Sequence, residues 1–157
     1  MNFIKKVLLL SQCFFLSCDH YRTICKCENV IVEQWNRNSV IKNKMTIDKD
    51  YNNVGLVIDI HYDDDVQYQN IFLCVKLIDG DGNIMFEKKD LMFMLFDSTS
   101  GVPLGRKVFR KQHLEFLITD ELKLKKGTYQ LEIKQMTRAE NLCGIKKIIS
   151  SFNVLKN

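Results

Sequence analysis

The sequence holds one proline and seven glycines among 157 residues, too few of either for a collagen-like or low-complexity chain. Charge of one sign is scarce too: the formal net charge is +4, with lysines and arginines scattered rather than blocked, which excludes the polybasic footprint of a nucleic-acid binder. Apolar residues make up 46%, above the low-hydrophobicity range of disordered chains, and the length suits one domain with a real core. Catalytic signatures are missing: there is no G-x-S-x-G elbow, no H-E-x-x-H pair and no glycine-rich phosphate loop. The three histidines, His20, His61 and His113, stand far apart in the chain, and solvent-facing roles are expected for them. A non-enzymatic protein without cofactor or metal is the expectation.

Long apolar runs are confined to the N-terminus. There Lys5 and Lys6 precede an apolar run ending at Leu16, too short for a stable membrane span and patterned as an export signal. Ser17-Cys18 at its end predicts lipoprotein processing: residues 1–17 are removed and Cys18 becomes the acylated first residue. Its palmitate-type chains would hold the protein on a membrane without a spanning helix. Cys13, behind bulky Gln12, is the competing position. Cys25, Cys27, Cys74 and Cys143 remain; export permits a disulfide, but four thiols allow three pairings and the pairing stays open. Cys25-x-Cys27 lacks the two further ligands of a closed zinc site, and Cys74, inside an apolar strand, is expected as a buried thiol.

Residues 18–34 carry no sustained period and predict a tether, which places the domain at 35–157. Within it the pattern is short strands: Val40–Ile47, Val54–Tyr62, Asn70–Ile78, Ile84–Lys88, Leu91–Phe96, Leu114–Thr119, Thr128–Gln135 and Ile148–Leu155. Period-two alternation puts Leu56, Ile58, Ile60, Leu73, Val75, Leu77, Tyr129, Leu131 and Ile133 in the core, with Asp59 and His61 on an opposite, outward face. Asp79-Gly80-Asp81-Gly82-Asn83 and Lys125-Lys126-Gly127 are turns; the first has only a superficial likeness to a calcium-binding loop. A helical turn fits between Lys134 and Lys147, limited by Gly144. The sum is an all-β, antiparallel β-sandwich of about eight strands.

Two segments invite functional roles. Asp63-Asp64-Asp65 is the densest acidic cluster; a solvated loop is favoured over a calcium site. The run Leu91, Met92, Phe93, Met94, Leu95, Phe96 is apolar on both faces, the mark of a buried central strand or of one covered by a partner protein. The lone Trp35 at the domain start is expected to plug one end of the sandwich rather than to stack on a sugar.

Tyr68-Gln69-Asn70-Ile71-Phe72-Leu73, the stretch from Asp97 to Leu104-Gly105, Gly127-Thr128-Tyr129 followed by Gln135 and Arg138, and Gly144-Ile145 before the last strand occur in this order. With the lipoprotein leader and Trp35 they resemble the GldH family of gliding-motility lipoproteins from the Bacteroidetes. The chain departs from the family pattern in Met136-Thr137 before Arg138 and in Ser98 to Ser100. The resemblance implies a lipoprotein of the cell envelope, expected in the outer membrane. It would associate with other envelope proteins of the gliding apparatus and its linked secretion system, without known catalytic residues. The alternative is a carbohydrate-binding lipoprotein on the same fold. An exposed aromatic platform would mark sugar binding; an apolar patch around Leu91–Phe96 would mark protein binding.

Overall fold

The computed structural model describes residues 21–109 and 111–155; Cys13, Cys18 and His20 lie outside them. The strands are β1 (Tyr21–Val30), β2 (Gln34–Asn36), β3 (Val40–Ile47), β4 (Tyr51–Tyr62), β5 (Asn70–Ile78), β6 (Ile84–Met94), β7 (Arg106–Val108), β8 (Lys111–Leu124), β9 (Gly127–Gln135), β10 (Asn141–Cys143) and β11 (Ile145–Leu155). They form a five-stranded sheet in the order β1-β11-β4-β8-β7, a four-stranded sheet in the order β3-β9-β5-β6, and a β2–β10 pair. Every pairing is antiparallel. The expected antiparallel β-sandwich is what the chain forms.

Its core follows from alternation. Val54, Leu56, Ile58, Ile60 and Tyr62 of β4 face inward from the larger sheet; Ile71, Leu73, Val75 and Leu77 of β5 and Tyr129, Leu131 and Ile133 of β9 meet them from the smaller one, all buried. All nine residues expected in the core are there. Trp35 is 3% exposed; its Nε1 donates to the Ser39 carbonyl at 3.1 Å. The buried Gln135 amide donates to the carbonyls of Trp35 at 3.4 Å and Ala139 at 3.2 Å, so two family-patterned residues close one end of the sandwich.

Three expectations are corrected. Residues 21–30 are not tether but β1, an edge strand paired with β11. Its period is hidden because the register shifts between Thr23 and Cys25, a bulge that inserts Ile24. The runs Ile84–Lys88 and Leu91–Phe96 are one strand: Val75 pairs Lys88 and Leu73 pairs Leu91, so Lys89 and Asp90 bulge out opposite Cys74, with Asp90 at a φ of 55°. The segment 134–147 holds no helix; β10 pairs with β2 there, and the total rises above eight because β1, β2, β7 and β10 join.

Two glycines are required by close approach. A Cβ on Gly144, whose φ is +80°, would collide with the Val66 backbone nitrogen. One on Gly105 would lie 2.8 Å from the His113 carbonyl and 3.0 Å from the Tyr62 hydroxyl. That hydroxyl donates to the Leu95 carbonyl at 2.7 Å and accepts from the Gly105 amide at 3.1 Å. It ties the end of β6 to the start of β7, where the chain crosses between sheets.

Candidate functional site

The apolar run at residues 91–96 lies at the edge of the four-stranded sheet, since among the described residues β6 has β5 on one side only. Leu91, Phe93 and Leu95 point inward; Phe93 packs edge-on against Phe116 at 4.4 Å. Met92, 55% exposed, and half-buried Met94 point outward. Phe96 packs edge-on against Tyr62. Leu95 and Phe96 are already paired: both amides donate to the Gln69 carbonyl, and the Leu95 carbonyl accepts from the Leu104 amide. The usable edge is therefore Leu91–Met94. Its other half is blunted by the bulge and by Glu87, Lys88, Lys89 and Asp90, the charges that guard a sheet edge against adventitious pairing. Exposed Val102 and Leu104 lie in the segment that folds back beside Leu95 and Phe96.

The rest of that sheet's outer face is a charge ladder. Lys42 pairs with Glu132 at 3.4 Å, and Lys76 and Lys89 each reach Glu87 at 3.5 Å. Lys76 stands opposite Glu132 in register, so charge alternates from β3 to β6. Half-buried Phe72 and Cys74 of β5 lie between the ladder and Met92 and Met94. Burial pushes the Cys74 thiol up, and the nearby Glu87 carboxylate adds to the shift.

On the outer face of the larger sheet, β4 and β8 bring together residues far apart in sequence. His61 stands opposite His113, and Asp59 opposite Glu115. The Asp59 Oδ2 lies 3.0 Å from His61 Nε2, and its Oδ1 3.5 Å from His113 Nδ1. The two imidazoles stack with centroids 5.3 Å apart and planes 23° from parallel. All three side chains are largely shielded from solvent. His61 stands on the outward face as expected, but the expectation of solvent-facing histidines is corrected: His61 and His113 are shielded by each other and by Asp59. Asp59-Ile60-His61 and His113-Leu114-Glu115 each put two polar groups on one strand face, and it is the antiparallel register that sets acid opposite acid and histidine opposite histidine. Beside the cluster runs a groove of about 760 Å³ with Asp59, Glu115, Asp120 and Glu121 among its acids and Val57, Leu117 and Ile149 among its apolar residues.

The acidic turn behaves otherwise. Asp63 Oδ2 meets Lys146 Nζ at 2.9 Å, Asp65 lies 3.9 Å from the same ammonium, and Asp63 Oδ1 accepts from the Asp65 amide. The hydrogen bond that Lys146 donates to Asp63 holds its ammonium above its usual range; an internal cation faces these carboxylates. Asp79-Gly80-Asp81-Gly82-Asn83 is the β5–β6 turn, with the Asp79 carboxylate accepting from the Asp81 and Asn83 amides. Cys25, Cys27, Cys74 and Cys143 are free thiols. Cys25 and Cys27 face inward on β1, where burial, then the neighbouring Cys25, pushes the Cys27 thiol up.

Residues 23–150 match the family model described as GldH lipoprotein, most of the chain and both of its large sheets. The chain belongs to the GldH lipoprotein family. Membership makes it a membrane-anchored lipoprotein of the cell envelope, of the gliding-motility system. No curated protein matches it in sequence. Among solved structures it is similar to a carbohydrate-binding module, CBM27-1 of Caldicellulosiruptor saccharolyticus in complex with mannohexaose, at 8% identity and a TM-score of 0.40 over 82% of this chain and 73% of that one. Eiger TNF from S. frugiperda is similar at 11% identity and 0.38 over 88% and 90%. A chain of infectious bursal disease virus, Gx strain, is similar at 10% and 0.34 over 88% of this chain and 33% of that one. These likenesses are too distant to carry a ligand from one chain to another.

Proposed function

We propose that this GldH-family lipoprotein is held in the outer membrane by acyl chains on Cys18 and binds another protein of the gliding apparatus and its linked secretion system, performing no chemistry of its own. Family membership supports the setting. The observation that carries the mode of action is the unpaired, apolar stretch Leu91–Met94 at the edge of β6. A partner strand added there would take up free backbone groups and cover Met92 and Met94. Sugar binding finds less support: Trp35 is buried, and Tyr21 is the single aromatic lining the groove.

Metabolic labelling with a fatty-acid analogue tests the anchor. Label is expected in the native protein and lost in Cys18→Ala; label that persists in the variant moves the lipid to Cys13. Pull-down from crosslinked envelopes tests the edge. Met92→Lys should fold and lose its partner. A folded variant that retains every partner excludes the edge, and saturable glycan binding by the native protein would replace protein binding with sugar binding.

A further inference from the structure

We propose that Asp59, His61 and His113 form a three-ligand site for a divalent transition-metal ion of the zinc class, on the outer face of the five-stranded sheet and open toward the groove. Two imidazoles and one carboxylate are a donor set that such ions take, with a remaining position left for water or a further ligand. The three donor atoms lie within 4.8 Å of one another. An ion bonded to each at about 2.0–2.1 Å in tetrahedral geometry holds its donors roughly 3.4 Å apart. The carboxylate reaches His61 Nε2 at 3.0 Å through Oδ2 and His113 Nδ1 at 3.5 Å through Oδ1, both near that value, and binding requires the side chains to turn so that one oxygen and the two nitrogens converge. All three residues stand on paired strands, a more rigid support than a loop.

Unmet bonding capacity supplies the second argument. Asp59 Oδ1 and His113 Nδ1 are buried and face each other at 3.5 Å without forming a hydrogen bond, although polar atoms withdrawn from water normally make one. The contrast with Asp63 is instructive, because there Lys146 supplies the cation. Among the described residues no lysine or arginine pairs with Asp59; Lys147, beside His61 in register, turns to Glu28 at 3.3 Å. Two stacked imidazole rings converging on one carboxylate leave a point that a metal ion would fill. Glu115, opposite Asp59 in register and lining the groove, adds a second carboxylate to the face that carries the site.

The test uses the full-length lipoprotein, purified in detergent and stripped with a chelator, titrated with zinc chloride by calorimetry and with cobalt(II) by visible absorption. One zinc ion should bind per chain and raise the melting temperature. Cobalt should give d–d bands without the intense near-ultraviolet band of thiolate ligation. Asp59→Asn and His61→Gln should each weaken zinc roughly tenfold or more, whereas a Cys25→Ser/Cys27→Ser variant should bind as the native protein does. Absence of saturable one-to-one binding, undiminished affinity in His61→Gln/His113→Gln, or a thiolate band in the native cobalt spectrum would each overturn the site. The spectrum decides even if a ligand variant fails to fold.

Discussion

The two outer faces of the sandwich spend their charges differently. Across the four-stranded sheet each strand answers its neighbour, Lys42 to Glu132 and Lys76 to Glu87, leaving a charge-paired ladder that ends at the apolar corner of Met92 and Met94. Across the five-stranded sheet Asp59 and Glu115 stand abreast, and two histidines crowd one carboxylate. On the first face the unsatisfied feature is a backbone edge; on the second it is a set of side-chain donors. The partners proposed for them differ accordingly: a protein strand for the edge and an ion for the donors. Both faces rest on one core, so their differences lie in what the outward positions of equally regular strands present.

The largest effects should therefore come from that core and be equal beneath both faces. Leu131→Ala under the ladder and Ile58→Ala beside Asp59 should each cost about 2–5 kcal/mol, read from cooperative denaturant unfolding. If either variant melts one sheet while the other stays folded, the shared-core picture fails.

Much of that core was legible because period two survives wherever a strand is covered on one side. β3 and β5 run over the residues that alternation marks, Val40–Ile47 and Asn70–Ile78. β1 was not legible, since the bulge at Ile24 breaks its alternation and it is an edge strand whose inward groups include small cysteines. β7 and β10 hold three residues each, too few for any period to declare itself. The split expected between Lys88 and Leu91 marked a real irregularity, the Lys89–Asp90 bulge, but a bulge interrupts a pattern without ending a strand. The Asp59–His61–His113 cluster depends on the register of β4 against β8, a long-range property that no local window contains.

A smaller effect tests how the faces are joined. Tyr62→Phe removes the hydroxyl that serves both Leu95 and Gly105 and should cost about 1–3 kcal/mol, with faster amide exchange at Gly105. Unchanged exchange there would mean that the crossing between sheets is held by other contacts. Smaller still, Glu132→Gln in the middle of the ladder, a shielded carboxylate paired with the exposed Lys42 ammonium, should cost about 1 kcal/mol and less in high salt. A larger, salt-insensitive loss would make the ladder structural and erase the contrast between the faces.

The smallest effect concerns the turns. Hydrogen bonds from Asn83, first its side chain and then its backbone, hold the Asp79 carboxyl below its ordinary range, and those from the Ser100 amide and hydroxyl do the same for Asp97. A carboxyl depressed in the folded state contributes stability that is present above its unfolded value and lost as pH falls through the folded one. Acidification below the usual carboxylate range should accordingly lower amide-exchange protection, measured against the intrinsic rate at each pH, at Asn83 and Ser100 before the core opens. Simultaneous loosening of core and turns would contradict that assignment.

The claim that this lipoprotein works through the β6 edge is tested most directly by photo-crosslinking in intact cells, with the reactive residue placed at Met92 on the free edge, Lys44 at the far side of the same sheet, or Leu117 on the opposite outer face. A discrete adduct with one protein of the gliding or secretion machinery, formed from position 92 and absent from 44 and 117, is the predicted result. Adducts of equal yield from all three positions, or from 117 alone, would contradict it.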